Sequence, residues 1–156
     1  MRKRGGAVLV SACLLGVRCR YDGGTAANPD LLEELRGKCV VPVCPEQLGG
    51  LSTPRVPSEI AGGDGADVLA GRARVVNEVG EDVTRAFVKG AEETLRLAVL
   101  LKCERTILKS RSPSCGQGQI YRNGELVEGD GVTVALLKQH GIEVETRDAV
   151  APSQYE

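Results

Sequence analysis

The sequence predicts an α/β fold: a mostly parallel sheet with helices on both faces and small β-hairpins inserted between them. Three observations predict it. Short apolar runs rich in Val, Leu and Ile recur at 7–12, 40–45 and 106–109, the pattern of strands buried on both faces. Helical patterns lie between them, and such alternation implies parallel strands joined by crossovers. Most of the 20 glycines fall between the apolar runs, which puts tight turns at the joints. A length of 156 residues suits one core. With no repeat, low-complexity stretch or boundary, residues 1–156 read as a single domain.

Each element has a local reason. Residues 7–12 form the first strand, and a Gly-containing loop runs from Cys13 to Gly24. Asn28 caps a helix with Pro29 at its first position, Leu31, Leu32 and Leu35 give it an apolar side, and Gly37 ends it. Residues 40–45 are the second strand, their prolines favouring strand ends over a central ladder position. Residues 46–65, rich in Gly, Pro and Ser, read as a long loop of the functional kind. Loose alternation around Ala70-Gly71 predicts a β-hairpin over 68–79. Asp82 caps the strongest helix, with Val83, Phe87, Ala91, Leu95 and Ala98 on one face, ending near Lys102. Residues 106–109 are a third buried strand. Asn123-Gly124 between apolar pairs predicts a hairpin over 119–127. A helix over 132–139 stops at Gly141, and 142–145 is a last strand before a frayed tail.

Charge is nearly balanced, 20 basic against 21 acidic residues, so nothing global draws the chain to nucleic acid or an anionic membrane. RNA is therefore not indicated as a partner by net charge, though a local basic patch keeps it open. The apolar run after the basic start, 7–10, is too short for a signal core, and no stretch approaches a membrane span. The expectation is a cytoplasmic protein without membrane contact. In that compartment its six cysteines serve as thiols, ligands or catalytic groups, not disulfides. Oligomeric state is not legible.

Cys13 follows the first strand, Cys44 ends the second, and Cys115 lies in the loop beyond the third. Open parallel sheets place their ligand crevice at the carboxyl ends of the strands, so three remote thiols are aimed at one edge. Zinc sites usually show Cys-x-x-Cys or Cys/His pairs; this chain has neither, and one histidine, His140. Soft thiolates from scattered loops also suit an iron–sulfur cluster, and three ligands leave one iron open. Beside this stands the plain role of a buried thiol as a small hydrophobe, which Cys39 and Cys103 fit; Cys19 is ambiguous. A non-catalytic iron–sulfur or metal-binding module shares the same ligands. A cysteine phosphatase-like hydrolase would start at Cys13, but its Cys-x5-Arg spacing meets Cys19, with Arg18 and Arg20 on either side.

Glu46 stands two residues after Cys44, where an anionic cluster would raise a carboxyl pKa and suit it to proton transfer; its ordinary fate is a surface Glu. Ser110, Ser112 and Ser114 are candidate donors to sulfur or substrate, or simply turn caps. Asp22, Arg20 and Arg55 are candidate polar walls. Residues 129–133, Gly-Asp-Gly-Val-Thr, open a helix whose N-terminus would face an anionic ligand.

In order along the chain stand Ser11-Ala12-Cys13-Leu14-Leu15-Gly16 with Cys19-Arg20-Tyr21-Asp22-Gly23, then Cys44-Pro45-Glu46 with Gly49-Gly50-Leu51, Pro54-Arg55 and Glu59-Ile60. Leu108-Lys109-Ser110, Ser112-Pro113-Ser114-Cys115-Gly116 and Gly129-Asp130-Gly131-Val132-Thr133 follow. This set, from Val8 to about Val144, resembles the thiouracil desulfidase family. The resemblance implies a Rossmann-like catalytic domain with an oxygen-sensitive 4Fe–4S cluster on Cys13, Cys44 and Cys115. It implies a small thiolated pyrimidine as substrate: a thiouracil-type base, its nucleoside, or thiouridine in RNA. The thiocarbonyl sulfur meets the open iron, water attacks the carbon, and sulfide is later released without net redox change. Glu46 and a serine, Ser110 ahead of Ser112, are implied as acid–base and orienting groups.

Overall fold

The computed structural model describes residues 6–150. Strand β1 (Val8–Ser11) runs into a 3-10 turn (Ala12–Leu15); α1 (Pro29–Glu34) leads to β2 (Val40–Val43), followed at once by α2 (Pro45–Leu48). An inserted unit holds β3 (Ser58–Ala61), α3 (Gly65–Leu69) and β4 (Arg74–Asn77). Helix α4 (Thr84–Leu100) returns the chain to β5 (Arg105–Lys109). The hairpin β6 (Gln119–Arg122) and β7 (Glu125–Glu128), helix α5 (Val132–Gln139) and β8 (Glu145–Arg147) complete it.

The main sheet has the order β2-β1-β5-β8, with every pair parallel. Its strands are buried on alternate faces, as their period of two requires. Leu9 and Leu108 pack with Ala98, Val134 and Leu137 under α4 and α5. Val8, Val10 and Ile107 pack on the opposite face with Leu14, Leu31 and Leu35, from the 3-10 turn and α1. Helices therefore cover both faces, as predicted. The Asn28 side chain caps α1 by accepting from the Leu31 N–H at 3.0 Å. In the β6–β7 turn, Asn123 and Gly124 both adopt positive φ, 51° and 76°, which the mirror-image two-residue turn demands.

Three expectations need correction. The stretch 46–65 is not one loop, since it contains α2 and β3. The hairpin expected over 68–79 does not form. Asp64 and Asp67 exchange reciprocal backbone bonds (3.2 and 3.0 Å) and start α3 there, a capping box that outweighs loose alternation. Strand β4 pairs instead with β3, antiparallel, from Ser58 opposite Asn77 to Ala61 opposite Arg74. Finally, the last strand lies at 145–147, because the Gly141 and Ile142 N–H groups are spent on Lys138 O and Leu137 O at the end of α5. Asp82 does support α4 by accepting from Thr84 N at 2.9 Å, but Val83 occupies the cap position. The tail beyond 150 falls outside the described residues.

Candidate active site

Strands β2 and β5 flank β1 on opposite sides, so the chain leaves β1 in one direction and later resumes in the other. Ligand crevices open at the carboxyl edge of such a switch point. A cavity of about 480 Å³ lies there, with Cys13, Cys44, Cys115, Cys19, Glu46 and Ser110 in its wall. Cys13 comes from the 3-10 turn after β1, Cys44 from the residue preceding α2, and Cys115 from the loop beyond β5. Among the described residues, no three His, Cys, Asp or Glu side chains are gathered closely enough to grip a single metal ion.

The loop presenting Cys115 is held from two directions. Ser112 Oγ accepts from the backbone N–H groups of Cys115 (2.7 Å) and Ser114 (3.2 Å). From α5, the Val132 N–H donates to Pro113 O and the Thr133 N–H to Ser114 O, each at 2.9 Å. The first amides of that helix are thus consumed by the cysteine loop. This corrects the expectation that 129–133 faces an anionic ligand. Gly131 is needed for the contact, because a Cβ there would sit 2.4 Å from Ser114 O.

Cys44 and Glu46 are placed by a close helix crossing. A Cβ on Gly90 of α4 would lie 1.9 Å from Pro45 O, and one on Gly49 would lie 1.9 Å from Ala86 O. Glu46 Oε2 accepts from Arg55 Nε at 2.6 Å, in a pair with only 17% and 8% of their side chains exposed. Arg55 also donates to Cys19 O (3.0 Å), Thr53 Oγ1 (2.9 Å) and Ser52 O (3.2 Å). One guanidinium therefore ties the Cys19 loop to the segment carrying Glu46.

The thiols sense one another. Cys19 is pushed up to about 11, first by its hydrogen bond with Cys13. Cys44 is raised, first by its bond with Cys19 and then by burial. Cys115 is pushed up to about 12 by burial and by the Glu46 charge, while bonds from Ser11 and Ser112 pull the other way. Groups in that state are neutral thiols at physiological pH, which become ligands when a cationic centre supplies the opposing charge. Lys109, in the same wall, is lowered by burial and lies near Cys13, Arg20 and Arg111.

A family model for 2-thiouracil desulfurase matches residues 8–149. The chain belongs to that family. Among solved structures it is similar to a 4Fe–4S-dependent thiouracil desulfidase, TudS, with a TM-score of 0.79 and 40% identity over 91% of each chain. It is also 49% identical to the uncharacterized protein YbbK of Bacillus subtilis (strain 168), over 88% of this chain and 93% of that relative.

Within the desulfurase fold, Cys13, Cys44, Cys115, Glu46, Ser110 and Ser112 all reach one cavity. Ser114 does not; it is buried against Thr133, with hydroxyls 2.7 Å apart. Arg20 and Arg55 do line the wall, whereas Asp22 turns back on its own loop and accepts from Gly24 N at 2.8 Å. Sequence reasoning missed the Arg55–Glu46 pair, although both residues were flagged singly. It also missed Ser11, a hydroxyl closing an otherwise apolar strand, which accepts from Lys109 N at 2.9 Å and draws the Cys115 thiol downward. A polar residue inside a doubly buried strand was the available signal.

Proposed function

We propose that this desulfurase-family chain is an iron–sulfur enzyme that removes sulfur from a thiolated pyrimidine and releases it as sulfide. Its 4Fe–4S cluster is held by Cys13, Cys44 and Cys115. The observation that carries the reading is the meeting of three thiols from three separate segments at the carboxyl edge of the sheet, beside a carboxylate, on a cavity of small-ligand size. The donor set fits the group. Three soft thiols lining one cavity are the ligand type that iron–sulfur clusters take. When bound, the cluster supplies a Lewis acid with a soft-ligand preference at one open iron.

The chain's own residues do the rest. Ser112 holds the Cys115 loop by accepting from the Cys115 N–H, and Lys109 sets a cation beside Cys13. Glu46 is held by Arg55 through Oε2, and its Oε1 has no hydrogen-bond partner among the described residues. That oxygen takes the proton of the water that replaces sulfur at the ring carbon. Ser110 orients the substrate or that water. The exchange of sulfur for oxygen is redox-neutral, so the reaction calls for no electron partner. A cavity of about 480 Å³ favours a free base or nucleoside over a thiouridine held in RNA.

Anaerobically reconstituted protein should bind iron and release sulfide from 2- or 4-thiouracil. Glu46→Gln should keep its iron and lose about 100-fold or more in kcat. Iron-free protein that still turned over would overthrow the cluster mechanism, and full activity in the Glu46→Gln protein would remove Glu46 from it.

A further inference from the structure

We infer that Asp148 is a positioning residue for this reaction, fixing the Ser110 hydroxyl so that Ser110 meets the contents of the cavity as a hydrogen-bond acceptor. The inference rests on the desulfidase reading and on Ser110's part in it.

Ser110 Oγ donates to Asp148 Oδ1. Asp148 is not itself part of the cavity wall; it stands behind Ser110, at the next step of a parallel ladder. Lys109 of β5 lies opposite Arg147 of β8, and Ser110 N donates to Arg147 O at 3.0 Å. Asp148 is anchored independently, since Asn28 Nδ2 donates to its carbonyl oxygen at 3.0 Å and Val150 N donates to Ala27 O at 3.2 Å. The β5–β8 ladder therefore sets the two residues side by side, and the Asn28 and Ala27 contacts hold the Asp148 segment from a second direction.

Chemistry then sets the polarity of the serine. The Asp148 carboxyl is held below the usual carboxylate range, first by the Ser110 bond and then, against some burial, by the charges of Arg111 and Lys109. An ionised carboxylate only accepts. A serine hydroxyl has one proton, here committed to Asp148, and the lone pairs that remain can only receive. What meets Ser110 inside the cavity must bring a proton of its own, as an attacking water or a pyrimidine ring N–H does. A serine without Asp148 behind it would be free to donate instead, and would lose this direction. A carboxylate behind the hydroxyl also makes its oxygen the stronger acceptor.

The test compares the full-length, anaerobically reconstituted protein with Asp148→Asn, Asp148→Glu, Ser110→Ala and the Ser110→Ala/Asp148→Asn double variant. Single-turnover sulfide release keeps slow variants measurable. Asp148→Asn should lower kcat about ten- to a hundredfold and leave KM, iron per chain and Tm at wild-type values, with Asp148→Glu recovering part of the rate. In the Ser110→Ala background, Asp148→Asn should change the rate by less than about twofold, because its effect passes through the missing hydroxyl. The inference fails if kcat is unchanged, if iron or Tm falls along with the rate, or if Asp148→Asn costs the same in both backgrounds. Wild-type kcat in Ser110→Ala protein would instead remove Ser110 from the proposed reaction, a separate result.

Discussion

At the scale of single residues, the site turns on Arg55 as much as on its cysteines. Its guanidinium donates to four acceptors on two segments, with the Glu46 bond at 2.6 Å. A lysine presents a point charge and cannot reproduce that fork. Arg55→Ala leaves Glu46 unpaired in a mostly buried position, at a cost of about 3 kcal/mol. Arg55→Lys should keep most of the stability yet lose rate, because the Cys19 loop is no longer tied to the Glu46 segment. Thermal melts and iron content on both variants check this, and wild-type kcat in Arg55→Lys would show that the fork is dispensable. The reason this pair stayed hidden is physical. Residues 46 and 55 are joined through a turn-rich segment whose path no periodicity encodes, so each residue was visible alone and their meeting was not. Two of the cysteines were legible because Cys13 and Cys44 follow strands that apolar runs mark, and Cys115 because it lies in the loop that the third such run leads into.

The elements carry their own constraints. Helices α2 and α4 cross at Gly49 and Gly90 so closely that an added Cβ would fall 1.9 Å from a backbone oxygen. Gly90→Ala should therefore push α2 outward at a cost of about 2–3 kcal/mol, a Tm drop of roughly 4–12 °C at this chain length. Since α2 carries Cys44 at its start and Glu46 in its first turn, iron retention should fall with Tm. A Gly90→Ala protein with wild-type melting and iron would show that the crossing has room to give. A second constraint lies on the β5–β8 edge, where Arg105 bonds Glu145 (2.9 Å) and Glu34 (2.8 Å). Both carboxyls are held below their ordinary 4.5, first by Arg105. Depressed carboxyl values contribute stability that is complete above about pH 4.5 and drains away as pH falls through the folded-state values. These side chains are 29–41% exposed, so solvent screening limits the pair to about 1 kcal/mol. Denaturation midpoints should hold from pH 7 to 5 and decline below 4.5, with Arg105→Met flattening the decline. Among the elements, the long helix and the Asn-Gly hairpin were readable because each rests on strong local chemistry. The false hairpin over 68–79 came from weak alternation, beside a capping box of two Asp residues that alternation does not register.

For the molecule as a whole, the scaffold and the chemistry are built from different residues. Three apolar clusters fill both faces of the sheet and the space beneath the β3–α3–β4 unit and the β6–β7 hairpin, and of the three proposed cluster ligands only Cys115 is a core member of any. Cys13 packs at the margin of one, and Cys44 in none. A fold whose core closes without its cofactor differs from a small metal domain that unfolds on chelation. Removal of iron should leave the far-UV circular dichroism near its loaded form at 20 °C. The cluster still links the 3-10 turn, the start of α2 and the 110–116 loop, and a group that binds only the folded state adds stability by mass action. With an effective concentration of about 1,000 times Kd, that term is about 4 kcal/mol, or roughly 8–16 °C in Tm. Chelated and reconstituted protein, melted side by side under argon, should differ by that order and share one spectrum before the transition. Collapse of the helical signal on chelation would show that the cluster staples the fold; identical melting curves would show that it binds without bridging the three segments.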